Sequence, residues 1–385
     1  MATTSHFFVF GRTPQLAFLE LRTLFPRARH MVDGVASVEL DESLDVSHLM
    51  DILGGTTKIA KAVGSVTTLD GHLARFIDSD SHGLTFGVSM YGESTMPKTL
   101  LSDMKGELER SGRTARYIAS PDGDPLTSVA IDKKHAEELI VIKNGDHYVI
   151  GKTLAVQAYE AWNARDYGRP HADAQSGMLP LKAARMIVNI ALSTAYEERG
   201  ARQKTLLDPF CGMGSVLAEA YMMGCRVIGC DTSDAAVTKA RENLSWLMEA
   251  FPNSKGAVAK LFVADAVHVS DVLAPGSVHA IVSEPYMGST DIANAKNVDP
   301  GKVRNILKGL EKLYIGCLRD WHKLLVPNGK IVIALPAYAI SGRTYFVKKV
   351  VDMCENLGYT INDGPIEYSR PQATVKRMFY VLSKK

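Results

Sequence analysis

The chain has 385 residues, with 44 Lys plus Arg against 42 Asp plus Glu, a formal net charge of +2. That length is too great for one ordinary domain and predicts two or three, while the near-neutral balance by itself points to no partner. No run of about eighteen apolar residues occurs and the opening MATTSHFFVFGR lacks the regions of a signal peptide, so a soluble cytoplasmic protein without membrane association is expected.

Charge is unevenly spread: residues 1–150 hold 15 basic against 20 acidic side chains, and residues 151–385 hold 29 against 22. The basic excess therefore lies in the second half, where a polyanion or merely a soluble surface would account for it. Five cysteines (Cys211, Cys225, Cys230, Cys317, Cys354) form no C-x-x-C pair, which argues for reduced thiols and no metal site.

Over residues 1–151 short strand and helix signals alternate: HFFVFG, TPQLAFLELRTLF, VASVEL, SLDVSHLMDIL, LTFGVSMYG, TLLSDMKGELERSG and EELIVIKNGDHYVIG. They predict one or two small α+β layers, closed by a hairpin at Asn144-Gly145-Asp146. A polar stretch, AWNARDYGRPHADAQSG, follows, and a linker is expected over 152–176. The amphipathic LPLKAARMIVNIALSTAYEERG then opens the last region, 177–385.

From Lys204 the order is that of a parallel doubly wound α/β sheet: LLDP, helical GSVLAEAYMMG, RVIGCD, helical SDAAVTKARENLSWLMEA, LFVAD and HAIVSEP. A helix near 302–324, the strand KIVIALP after Pro327-Asn328-Gly329, a helix near 343–357 and a closing KRMFYVLS strand complete it.

Three successive strand ends carry candidate ligand-binding residues. Asp208-Pro209-Phe210-Cys211-Gly212-Met213-Gly214-Ser215 leads from strand to helix, where glycines let backbone approach a ligand. No Lys follows the second Gly, which disfavours a P-loop. Asp231, nineteen residues after Gly212, suits a ribose, and Asp265 suits an adenine amino group. Each alone is common turn chemistry. Together they fit an adenosine with a charged, phosphate-free tail, S-adenosylmethionine, better than NAD or a nucleotide. Cys211 reads as a packing residue of the loop rather than a nucleophile.

The fourth strand ends in Ser283-Glu284-Pro285-Tyr286-Met287-Gly288. An exocyclic amine on a base is a weak nucleophile, because its lone pair is delocalised into the ring. A site assists by accepting its N–H bonds and stacking the ring. Glu284 or Ser283 supplies an acceptor, Pro285 a turn and Tyr286 a stacking face, and the base would be flipped out to reach them. The plain alternative is that Pro285-Tyr286 only turns the chain.

With D-P-F-C-G-M-G-S, G-C-D and S-E-P-Y in place, the chain resembles the archaeal-type tRNA guanine-10 N2-methyltransferases. R-D-Y-G-R-P (165–170), G-M-L-P-L-K-A (177–183) and A-R-E-N-L-S-W-L (240–247) add to the likeness. The resemblance implies a ferredoxin-like layer plus a tRNA-holding THUMP domain over 1–151 and a Rossmann-like methyltransferase sheet over 177–385. It also implies that Asp208, Cys211, Gly212 and Gly214 meet the methionine moiety, Asp231 the ribose and Asp265 the adenine, with Leu179 and Pro180 closing the pocket. tRNA would be the substrate, and a small activating protein partner stays possible. Arg165, Asp166 and Arg169 suit a linker-fixing ion pair or an RNA contact equally.

Two departures from the family pattern stand out. Leu181 replaces a Pro, and S-E-P-Y-M-G replaces T-D-P-P-Y-G. Aligned by length, Glu284 takes the place of the Asp; aligned on Pro-Tyr, Ser283 does. An acceptor and an aromatic survive in both registers, so an active but altered box is expected. Other readings are an amino methyltransferase on DNA or a protein amide, and a non-catalytic RNA-binding protein. The acidic first half is a caution for a tRNA-holding role, although Lys98, Lys105, Arg110, Arg113 and Arg116 could form a local basic patch.

Overall fold

The computed structural model describes residues 3–78, 83–92, 95–172, 179–192, 203–288, 300–340, 342–369 and 373–385. The chain divides into two compact units, Met1–Trp162 and Asn163–Lys385. Among the described residues, no helix is long and apolar enough to cross a membrane.

The first unit contains β1 (Thr3–Phe10), α1 (Pro14–Leu24), β2 (Arg29–Val32), β3 (Val35–Asp41), α2 (Val46–Ile52) and β4 (Thr56–Val66). After a short 3-10 turn come β5 (Leu84–Tyr91), α3 (Leu100–Arg110), β6 (Ala115–Tyr117), α4 (Ser128–Lys134), β7 (Glu137–Asn144) and β8 (His147–Val156). They make one continuous sheet in the order β2-β3-β1-β4-β8-β7-β5-β6. The apolar run Leu139-Ile140-Val141-Ile142 explains how that sheet is covered. Because side chains alternate along a strand, Leu139 and Val141 enter one core with Phe86, Val88, Leu100 and Met104. Ile140 and Ile142 enter the opposite core with Phe7, Val9 and Val35. The hairpin expected at Asn144-Gly145-Asp146 joins β7 to β8, with Asn144 opposite His147 and Gly145 at φ +62°.

The stretch expected as a linker contains the end of β8 and α5 (Tyr159–Tyr167), which spans the division between the units; residues 173–176 lie outside the described ones.

The second unit continues with α6 (Leu181–Leu192), β9 (Thr205–Asp208), α7 (Ser215–Met222), β10 (Arg226–Asp231), α8 (Asp234–Ala250), β11 (Ala257–Val263) and β12 (Val278–Ser283). It closes with α9 (Pro300–Leu324), β13 (Leu325–Ile340), β14 (Arg343–Phe346), α10 (Lys348–Met353), β15 (Tyr359–Tyr368) and β16 (Val375–Lys384). The sheet order is β11-β10-β9-β12-β13-β16-β15, parallel from β11 to β13, with β16 and β15 antiparallel. Chain order reverses between β9 and β12. In open α/β sheets, the crevice outside the strand ends at such a point is where ligands bind. Burial follows this topology: every residue of central β9 is buried, whereas edge strand β11 keeps Val258 and Val263 exposed.

Two elements differ from expectation. The helix expected over 343–357 is only α10; Arg343-Thr344-Tyr345-Phe346 pairs with β13 instead, since Thr, Tyr and Phe suit a pleated surface and Gly342 turns the chain at φ +74°. The turn expected at Pro327-Asn328-Gly329 lies within β13 as an irregularity, with Asn328 at φ +60° and a register shift against β12.

Candidate active site

The first loop is built by β9 and α7. Asp208 ends β9 with 2% of its surface exposed, and its carboxylate accepts from Phe210 N at 3.1 Å. Gly212 (φ +50°) and Gly214 (φ +86°) take left-handed conformations that a side chain would strain. A Cβ on Gly212 would meet nothing within 4 Å, so the loop is open there. Cys211 is buried, its N–H donates to Cys230 O at 2.9 Å, and burial pushes its thiol up, which fits the packing role.

Asp231 ends β10 and brackets the loop. One carboxylate oxygen accepts from Gly212 N at 3.0 Å and the other from Ser233 N at 3.0 Å. Each oxygen has one backbone donor and keeps capacity for another. Asp265, after β11, is exposed and accepts from Val267 N at 3.1 Å; Trp321 Nε1 donates to Ala266 O at 2.9 Å and fixes the same turn. Asn243, from the A-R-E-N stretch, donates to Met213 O and to His171 O, both at 2.9 Å, and so ties α8 to the loop.

The fourth strand brings its residues beside the first loop. Ser283 is fully buried next to the Asp208 carboxylate. The Asp208 pKa is pushed up to about 8, by burial first, with Asp231 and Glu284 adding to it. Three acids thus meet at the reversal point. Near neutral pH Asp208 holds its proton and Glu284 is paired with Arg377, so what the three offer a ligand is hydrogen-bonding capacity rather than a strong negative field.

Glu284 is mostly buried, and its carboxylate accepts from Arg377 Nε and from the Leu179 backbone N–H. Burial raises its pKa, and Arg377 works against that shift. Pro285 is buried, while Tyr286 is 57% exposed. The backbone beneath that ring is pinned twice: Tyr314 on α9 donates to Tyr286 O at 2.6 Å, and Tyr338 on β13 donates to Met287 O. Gly288, at φ +96°, leaves no room for a Cβ against the Tyr338 hydroxyl. Leu179 is buried, and exposed Pro180 accepts from Ala184 N at 3.0 Å to start α6.

The structure brings Asp208, Cys211, Gly212, Gly214, Asp231, Ser283, Glu284 and Leu179 together, through bonds and charge coupling. Sequence reasoning missed Arg377, Tyr314 and Tyr338, which only the sheet order and α9 carry to the box. It left Arg165 between two roles. Buried Glu219 accepts from Arg165 Nε at 3.2 Å and from Arg185 Nε at 2.7 Å, so Arg165 is an internal ion pair. Arg169 Nη1 donates to Ser215 Oγ at 3.0 Å, at the start of α7.

In the first unit, the basic patch is largely internally engaged. Lys105 pairs with Glu109 at 3.4 Å and Arg110 with Glu107 at 2.6 Å, while Arg113 donates to Ile77 O at 2.9 Å and Arg116 to Thr85 Oγ1 at 2.7 Å. No cluster of three metal-ligating side chains occurs among the described residues.

A parallel sheet reversing at β9 and β12, with a glycine loop on the first strand and an acid ending the second, defines the second unit as a Rossmann-like methyltransferase fold. The crystal structure of TrmN from Thermus thermophilus resembles the whole chain, with a TM-score of 0.56, 16% identity and full coverage of both chains. No protein-family model matches.

Among curated proteins, the chain has archaeal homologues named tRNA (guanine(10)-N2)-dimethyltransferase. The one from Methanothermobacter thermautotrophicus is 32% identical over 195 residues, covering 50% of this chain and 48% of that protein. The one from Pyrococcus abyssi is 25% identical over 218 residues, covering 57% and 52%. The chain therefore spans about half the length of the curated relatives it matches.

Proposed function

We propose that the protein transfers a methyl group from S-adenosylmethionine to the exocyclic N2 of a guanosine in tRNA, in the cytoplasm. The observation that carries this reading is the meeting of the glycine loop and the S-E-P-Y box at one sheet reversal, with three acids between them. The named homologues support the same reaction and substrate.

The donor set fits the cofactor: open backbone at Gly212 and an acid at each of three strand ends, with acceptor capacity left on Asp231. Asp231 would accept from ribose hydroxyls and Asp265 from the adenine amine. Gly212 and Gly214 would admit the methionine moiety over Cys211, Asp208 would hold the loop from below, and Leu179 and Pro180 would close the pocket. S-adenosylmethionine, when bound, supplies an electrophilic methyl on a sulfonium.

The chain's own residues act on the acceptor. Tyr286 stacks the flipped base on its exposed ring, and the buried Pro285 fixes the turn that presents it. Glu284 accepts N–H from the amine, aligns its lone pair, and takes the proton that the nitrogen sheds. Ser283 is fully buried beside Asp208, and its hydroxyl has no hydrogen-bond partner among the described residues. In this proposal Glu284 takes the place of the family's Asp, supported by the open side of its carboxylate at the crevice. The first unit, ferredoxin-like plus THUMP in this reading, would hold the tRNA.

The test is nucleoside mass spectrometry of unmodified tRNA transcripts after incubation with purified protein and S-adenosylmethionine alone. N2-methylguanosine is expected. Cofactor binding with no methylated nucleoside overturns the reading for the isolated chain.

A further inference from the structure

Arg377 stands on β16, opposite Pro336 of β13 and Tyr368 of β15, and is 93 residues from its partner Glu284 in sequence. The two side chains are 20% and 19% exposed, so the pair sits at the wall of the crevice with one side open. Two donors reach the Glu284 carboxylate among the described residues, the Arg377 guanidinium and the Leu179 backbone N–H. A carboxylate offers about four lone-pair sites, so about two remain. They are what a guanine edge requires: N1–H and one N2–H are adjacent donors, whereas adenine offers there an unprotonated ring nitrogen that a carboxylate repels.

We propose that Arg377 is a positioning residue: it fixes Glu284 so that the two remaining acceptor sites of the carboxylate read the N1–H and N2–H of guanine and refuse adenine. This rests on the function proposed above and adds to it the part that selects the base. A lone glutamate at this place would rotate. It would also be driven toward its protonated form, since burial disfavours its charge. A protonated acid offers a donor where guanine needs acceptors.

Among the described residues, the charged and titratable groups facing Glu284 are Arg377 from β16 and Asp208 from β9; Leu179 adds its N–H from the segment before α6. With Arg377 removed, the burial that disfavours charge stays and the cation that favours it is gone. The Glu284 pKa then rises further, and activity that needs the carboxylate is lost on the acid side at a higher pH than before.

The experiment compares wild type, Arg377→Met and Arg377→Lys in single-turnover methylation of an unmodified tRNA transcript from about pH 5.5 to 9. S-adenosylmethionine affinity is measured in parallel by calorimetry. Arg377→Met is expected to be slower by at least about tenfold near pH 6.5, to recover part of the loss as pH rises, and to bind cofactor normally. Arg377→Lys, which restores the charge without the planar fork, is expected to fall between them. A loss in Arg377→Met that is the same at every pH overturns the proposal, as does no loss.

A second readout does not depend on turnover: the carboxyl 13C titration of Glu284, assigned by its absence in Glu284→Gln. Arg377→Met is expected to raise the midpoint by about one pH unit or more, and an unmoved midpoint overturns the role of Arg377. If wild type makes no N2-methylguanosine, the proposed function falls while this titration still decides the pairing.

Discussion

At the scale of single residues, burial drives Asp208 and Glu284 toward their protonated forms. Asp208 is the extreme, held near pKa 8 by burial against an ordinary value of 3.8. Below about pH 8 the folded protein keeps a proton there that the unfolded chain releases above about pH 4. Stability from this group therefore falls as pH rises through that window and is level above it. Asp208→Asn keeps the acceptor for Phe210 N and removes the titration. Relative to wild type, its Tm is expected to gain on the order of 5 °C between about pH 5 and 8, as followed by differential scanning calorimetry. Tyr286→Ala is expected to leave Tm unchanged, since the ring is exposed, and to slow methyl transfer about 5-fold to 150-fold, the worth of one base–aromatic stack of about 1–3 kcal/mol. The acids at the strand ends were legible in the sequence because strand ends are. That Asp231 spends a lone pair of each oxygen on Gly212 N and Ser233 N was not, since such bonds depend on how a loop folds back.

At the scale of elements, the β-α alternation from β9 to β13 was readable because each strand is a short apolar run between turn residues. The helix α7 was readable too, but not the inward direction of Glu219. On a helix surface an acid ordinarily faces water; here it neutralises Arg165 and Arg185, and all three side chains are less than 10% exposed. Glu219→Gln is expected to cost about 3–5 kcal/mol in urea denaturation, because two buried guanidinium groups lose their counter-charge. Gly214→Ala is expected to lower cofactor affinity more than stability: φ +86° strains any side chain at the opening of α7, and the new Cβ would stand 3.4 Å from Ala240 Cβ. Strand β14 escaped the reading because Arg343-Thr344-Tyr345-Phe346 is too short to show a period, and only its place beside β13 decides it.

At the scale of the whole molecule, the sequence indicated an α+β region before a doubly wound one, and the chain divides after Trp162. That the first region forms one eight-stranded sheet was not legible, because its join is the pairing of β4 with β8, Lys58 opposite Val156, and nothing local marks so distant a partner. A chain starting at residue 163 is expected to bind S-adenosylmethionine as the full protein does and to lose most of its tRNA affinity in filter binding; retained affinity would remove the THUMP role from the first unit.

The sheet reversal between β9 and β12 has one more consequence. The residues proposed for the cofactor come mainly from β9 to β11, and those proposed for the base from β12 to β16. Heredity can therefore treat the two halves separately. Substitutions from residue 283 onward can redirect the chemistry to a new acceptor while the cofactor half stays as it is, and Glu284 and Arg377, which both lie in that second half, can change together.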